Sequence, residues 1–159
     1  MEFDDIGVIR SPHTQKTGMP IQPSGAAGVR GTVEVDPEFA EGLADLDGFS
    51  HIHLIYRFHE SNGFKLTVTP FLDDKPHGLF STRAPRRPNP IGLSVVKLIA
   101  IRGNVLEVEG VDVLDGTPLL DIKPYVPEFD GHPEAKVGWM EQAKGVSRGK
   151  HSDSRFRDD

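Results

Sequence analysis

The sequence predicts an all-β fold: a single closed or nearly closed β-barrel of short strands, with one short helix and a loosely held C-terminal tail. Three observations predict it. Thirteen prolines and seventeen glycines cut the 159 residues into short pieces. Most of those pieces alternate apolar and polar residues with the period of two that marks a half-buried strand. Only one segment carries helical spacing, and seven or eight strands of this kind favour closure, which removes exposed edges.

Taken in order, "FDDIGVIRSP" reads as a first short strand stopped by Pro12. "HTQKTGMPIQPSGAAG" has no period and is rich in turn formers, so it reads as a long loop. In "VRGTVEV", Val29, Gly31, Val33 and Val35 alternate with Arg30, Thr32 and Glu34. "DPEFAEGLADLDGF" offers Asp36 as an N-cap, Pro37 at the first helical position and Phe39, Leu43 and Leu46 at helical spacing, which predicts the one helix, ended near Gly48. "FSHIHLIYRFHE" puts Ile52, Leu54, Tyr56 and Phe58 on a core face and His51, His53, Arg57 and His59 on the other.

"FKLTVTP" and "GLFSTR" read as two further short strands. "IGLSVVKLIAIRGNVLEVEGVDVL" reads as a hairpin turning at Arg102-Gly103-Asn104. Asp115-Gly116 marks a tight turn before "TPLLDIKPYVP", whose Pro124 and Pro127 end the last strand. Beyond about residue 130 the period fades into polar, charged sequence. The expected organisation is a barrel domain over 1–130 and a partly flexible C-terminal extension over 131–159.

A chain of this size suits one core. It contains no cysteine, which removes disulfide frameworks, thiolate zinc sites and cysteine nucleophiles. No apolar stretch is long enough for a membrane helix, so no membrane partner is expected. "MEFDDIGVIR" lacks the pattern of a secretory signal, which makes a cytoplasmic location the default expectation. The net charge of −6 opposes indiscriminate coating of nucleic acid. Yet from Lys75 to Leu106 there are six basic residues and no acid, so the remainder carries −12, and only the fold decides whether that segregation is spatial.

Among the candidate sites, His51, His53 and His59 share one strand face, but ligands strung along a strand diverge, so no metal site is expected. His51 and His53 read as hydrogen-bonded barrel or interface residues, and His59, beside Glu60 at the strand end, as the one best placed for a ligand. The glycines of "SGAAGVRG" lack dinucleotide spacing, and no G-x-S-x-G elbow is present. Asp112, Asp115 and Asp121 flank the last turn. Turn chemistry accounts for Asp115-Gly116, whereas Asp121 interrupts an apolar strand and either faces solvent or accepts hydrogen bonds from a ligand.

The most specific feature is "FSTRAPRRPNPIGLS" at 80–94. Pro85, Pro88 and Pro90 stiffen the loop, and restrict Asn89 between them, so side chains are held without an ordering cost on binding. Arginine rather than lysine at 83, 86 and 87 points to forked recognition of carboxylate or phosphate. A merely solvated surface loop is the bland alternative.

These residues resemble the TsaA-like or TrmO family of tRNA methyltransferases, which use S-adenosyl-L-methionine on a β-barrel. "IGVIRSP" at 6–12, "FSHIHLIYRFH" at 49–59, "GLFSTRAPRRPNPIGLSVVKL" at 78–98 and "DVLDGTPLLDIKPYVP" at 112–127 look like its signature blocks, in order. The resemblance implies methyl transfer to the exocyclic nitrogen of threonylcarbamoyladenosine beside the anticodon, with the tRNA anticodon arm as partner and a homodimer as the assembly. It implies cofactor contacts from Gln22, Pro23, His59, Glu60, Arg83, Leu93, Pro118, Leu119, Leu120 and Asp121. Arg86, Arg87 and Lys97 are left for RNA, and after transfer the methylated nitrogen loses a proton to water or to an acceptor such as Asp121 or His59. The sequence departs from the family pattern at "MPIQP", where many members have Arg before the Gln, and at His53 and Ala84. It stops at Asp159, which sets the expectation that the extra C-terminal domain of longer members is lacking. Two other readings stay open: a barrel methyltransferase for a small molecule or another nucleoside, and a non-catalytic RNA- or cofactor-binding barrel.

Overall fold

A computed structural model describes residues 1–15 and 27–143. Among the described residues eight strands form: β1 (Gly7–Arg10), β2 (Arg30–Val35), β3 (His51–Arg57), β4 (Thr67–Val68), β5 (His77–Gly78), β6 (Ile91–Arg102), β7 (Val105–Glu109) and β8 (Thr117–Pro124). Six of them close into a barrel in the order β1-β2-β7-β6-β3-β8, and β4 and β5 pair as a separate ribbon. Every pairing is antiparallel.

The alternation read from sequence is what the barrel buries. Ile52, Leu54 and Tyr56 of β3 point inward at 0%, 1% and 4% exposure, with Val33 and Val35 of β2 and Val96 and Leu98 of β6 on the same interior. Phe58 packs partly buried against that core. The β6–β7 hairpin turns through Gly103 and Asn104, with positive φ at Gly103 and not at Asn104, the arrangement of a type II′ turn. Asn104 then ties the hairpin to β2: its Nδ2 donates to the Val35 carbonyl at 2.7 Å, and its carbonyl accepts from Val35 N at 2.9 Å.

Three local expectations are corrected. Residues 36–48 do not form an α-helix but two 3-10 segments, Pro37–Leu43 and Leu46–Gly48, and Asp36 makes no side-chain cap bond. Gly42, Gly48 and the Asp45 φ of 68° interrupt what Pro37 begins. The α-helix observed is instead a single turn, α1 (Pro127–Asp130), started by the proline expected to end the last strand. "GLFSTR" is largely a 3-10 turn, Leu79–Ser81, because Leu79 is the buried anchor of a chain reversal and only His77 and Gly78 pair with β4.

Beyond residue 130 no described side chain is buried in the core. Residues 131–143 are nevertheless placed: Trp139 stacks on His77 at 4.4 Å between ring centres, and its Nε1 donates to the Ser81 carbonyl at 2.8 Å.

Candidate functional site

Antiparallel pairing decides which residues meet at a rim. Tyr56 lies opposite Gly92 of β6 and Leu119 of β8, and Arg57 opposite Ile91. The end of β3, with His59 and Glu60 just beyond it, therefore stands beside the starts of β6 and β8. Phe58 N donates to the Pro90 carbonyl at 2.8 Å, which fastens the 58–61 turn to the proline-rich loop. β1 ends at the same rim, since Ile9 pairs with Thr117, and Arg10 faces Thr32 near the start of β2. Gln22 and Pro23 lie outside the described residues, in the segment between β1 and β2.

The Asp115-Gly116 turn is sewn to the end of β1. Ser11 N donates to Asp115 Oδ1 at 3.1 Å, Ser11 Oγ to the Val113 carbonyl at 2.6 Å, and His13 Nε2 to the Val111 carbonyl at 3.0 Å. Asp115 is thus the turn residue that its sequence suggested.

Of the residues expected around a cofactor, Leu93 points outward at 51% exposure, opposite Ile55. Asp121 is also opposite Ile55, across β8. Its Oδ1 accepts from Ile122 N at 2.9 Å and its Oδ2 lies 3.1 Å from Lys123 Nζ. Pro118 and Leu120 are partly exposed, as the outward positions of β8. Leu119 is different: its side chain is fully buried in the core and its carbonyl accepts from Ile6 N at 2.8 Å, so it cannot supply an apolar wall to a ligand outside the barrel. Leu93 and Ile55 lie on the outer face instead.

Arg83 stands in the loop after the 3-10 turn rather than at a strand end, and its residue is exposed. Its charge acts on a polar chain that the sequence reading missed. Inside the rim, Tyr56 donates through its hydroxyl to Ser94 Oγ at 2.9 Å, and Ser94 Oγ donates to Asp112 Oδ1 at 2.7 Å. Desolvation pushes the Asp112 carboxyl up to about 6, against the hydrogen bond from Ser94 and the nearby Arg83 cation. Tyr56 is held above its ordinary range, first by burial and then by Asp112. A signal was available in the sequence: a tyrosine on the core face of β3 demands a polar partner.

The other two loop arginines are spent partly on the loop itself. Arg86 Nε and Nη2 both donate to the Asn62 carbonyl, at 3.1 and 3.0 Å. Arg87 Nη1 donates to the Thr82 and Ala84 carbonyls, each at 3.0 Å. The basic run is not one patch in space. Lys97, six residues along β6 from Ile91, lies about 20 Å down the wall by strand rise, opposite His51 and Glu109. Arg102 is at the far hairpin, 3.0 Å from Glu107.

On the outer wall, His53, Ile55, Leu93, Lys123, Pro124, Val126, Phe129 and Asp130 line a shallow groove of ≈ 460 Å³. His53 Nε2 lies 3.3 Å from Asp130 Oδ2, while its Nδ1 is buried with no hydrogen-bond partner. The Asp130 carboxyl is lowered, chiefly because it accepts from Val126 N. Among the described residues no three metal-ligating side chains converge, and no helix is long and apolar enough to cross a membrane.

A small antiparallel barrel with a proline-stiffened arginine loop at its rim defines the class. Residues 8–131 match the tRNA-methyltransferase O N-terminal domain, and the chain belongs to that family. It is 52% identical over 154 residues to a protein of Pyrococcus abyssi named a probable S-adenosyl-L-methionine-binding protein, covering 97% of this chain and 84% of that one. It is 34% identical to the tRNA (adenine(37)-N6)-methyltransferase of Escherichia coli, over 89% of this chain and 65% of that protein. The crystal structure of TrmO from Pseudomonas aeruginosa superimposes with a TM-score of 0.74 at 40% identity, over 87% of this chain. The chain spans 62% of that solved chain. The family expected from the four sequence blocks is the family found.

Proposed function

We propose that this protein is an S-adenosyl-L-methionine-dependent methyltransferase acting on the N6 nitrogen of an adenine beside the tRNA anticodon, with threonylcarbamoyladenosine as the base. What supports this reading is that the Arg83 charge lies near Tyr56 toward the end of β3, that His59 and Glu60 follow that strand and that β8 starts beside it, in a chain belonging to the tRNA-methyltransferase O family.

The donor set fits the cofactor. A carboxylate suits the forked Arg83 cation, ribose hydroxyls and an ammonium suit the Glu60 and Asp121 carboxylates, and an adenine face suits exposed Leu93. When bound, S-adenosyl-L-methionine supplies an activated methyl group on a sulfonium, so the protein's task is mainly alignment. The stiff 83–90 loop holds Arg83 without an ordering cost. The rim must also take one proton from the methylated nitrogen. Asp121 Oδ2, which now faces Lys123 Nζ, or the exposed imidazole of His59 accepts it.

Arg86 and Arg87, fork-shaped cations anchored to the loop, meet RNA phosphates or the threonyl carboxylate. Exposed Leu93 and Phe129 on the outer groove support a homodimer built on that face. The barrel domain spans 1–130, residues 131–143 lie outside it, and the cell compartment is the cytoplasm.

The test is transfer of labelled methyl from S-adenosyl-L-methionine to tRNA, followed by nucleoside mass spectrometry. Label in methylated threonylcarbamoyladenosine is expected; label in another nucleoside or a small metabolite would move the acceptor. Cofactor binding with no transfer to any acceptor would leave only a binding barrel. If Asp121→Asn and His59→Ala both left turnover unchanged, neither residue would be the proton acceptor.

A further inference from the structure

The rim loop presents one aromatic ring that the site described so far does not use. Leu79 is buried at 1% exposure, while Phe80, the next residue, stands out at 74%. The turn beneath it is braced on all sides. Ser81 Oγ donates to the Gly78 carbonyl at 2.8 Å, Thr82 Oγ1 to the Leu79 carbonyl at 2.8 Å, and Trp139 Nε1 to the Ser81 carbonyl at 2.8 Å. The Arg87 guanidinium, fixed by the Thr82 and Ala84 carbonyls, sits 5.8 Å from the centre of the Phe80 ring. Phe64 and Leu66, 50% and 61% exposed, lie on the adjoining segment, which is tied to this one where Leu79 N donates to the Leu66 carbonyl and Arg86 to the Asn62 carbonyl.

A single exposed phenylalanine is ordinary. An exposed ring on a hydrogen-bonded turn, with the Arg87 guanidinium fixed beside it and Arg83 and Arg86 on the same loop, is a flat apolar platform beside cations. That combination matches an unstacked nucleobase flanked by phosphates: the base face takes the ring and the phosphates take the arginines.

Resting on the reading of the rim as a tRNA methylation site, we propose that Phe80, with Arg87 beside it, is the stacking platform for an unpaired base of a single-stranded RNA loop. The ring selects looped over paired RNA, because a base inside a duplex already has both faces covered. The arginines add attraction that is indifferent to sequence.

The test is equilibrium binding of the full chain to a seven-nucleotide-loop RNA hairpin carrying 2-aminopurine at one loop position, against a duplex of the same length. Phe80→Ala should weaken hairpin binding roughly 5- to 150-fold, the loss of one stacked base. It should also remove the fluorescence quench that stacking produces. Duplex binding, S-adenosyl-L-methionine affinity and the salt slope should stay as in the wild type, and Phe80→Trp should restore hairpin binding. Equal weakening toward hairpin and duplex, no weakening toward either, or conversion of a dimer to a monomer in sedimentation would each overturn the platform; so would binding to anionic vesicles that Phe80→Ala abolishes while hairpin binding persists. The assay needs no turnover, so a wild-type protein that stacks the base but methylates no tRNA sinks the proposed reaction and leaves the platform standing.

Discussion

Asp112 carries its carboxyl into the polar chain behind the rim, and the chain has a direction. Tyr56 stays protonated and donates, Ser94 relays, and Asp112 accepts. Because burial raises the folded carboxyl from 3.8 to about 6, protons bind the folded state more readily than the unfolded one. Its contribution to stability is therefore fully present below about pH 4 and is lost as pH rises through about 6. The loss is at most roughly 3 kcal/mol by linkage, and less to the degree that solvent screens this partly exposed residue. Asp112→Asn keeps an acceptor for Ser94 without the charge. Urea unfolding should show the variant gaining on the wild type between pH 4 and pH 7, with no further divergence above pH 7. Gly92 carries a steric constraint of its own: a Cβ there would overlap the Tyr56 ring and approach Phe58 Cζ to 2.9 Å. Gly92→Ala should cost roughly 1–3 kcal/mol and disturb the Tyr56–Ser94 bond, seen as a lowered thermal midpoint and a changed tyrosine absorbance.

Elements here are joined by a few cross-links rather than by long interfaces. The Asn104 side chain bonds β2 from the tip of the β6–β7 hairpin, so Asn104→Ala should cost about 1 kcal/mol in denaturant unfolding without touching cofactor affinity. The 3-10 segment Gly138–Ala143 is held to the β4–β5 ribbon through Trp139. Trp139→Ala should therefore speed proteolysis around Lys136 while leaving the barrel's unfolding free energy within about 0.5 kcal/mol. These elements also show where sequence reading falls short. Strand positions were legible because alternation is a local pattern of period two. Residues 36–48 were misread because apolar spacing describes a helix face, not the backbone conformation that Asp45 and its neighbouring glycines impose.

For the molecule as a whole, closure rests on β1, which pairs with β2 on one side and β8 on the other. Deleting residues 1–10 would uncover two edges at once and should abolish cooperative unfolding. The fold also disperses the basic run, leaving Arg83, Arg86 and Arg87 in the rim loop while Lys97 and Arg102 lie farther along β6. Hairpin RNA binding should accordingly follow salt with a log–log slope of about −2 to −3, the value for three phosphate contacts, rather than the −4 to −5 that six would give.

The amino-acid order alone was enough for the barrel strands, their inward faces, the turns at Gly103 and Gly116, and the family blocks, because each is written within one short continuous stretch. The tertiary structure buries Leu119 in the core and leaves Leu93 exposed opposite Ile55, and the register shift between β3 and β8 falls beside Leu119. Only the tertiary structure joined Tyr56, Ser94 and Asp112, and set Phe80 apart from its buried neighbour. Local alternation assigns each residue to one of two faces. Which residues share a rim depends on the register in which six strands close, a property of pairings dozens of residues apart that no short stretch encodes.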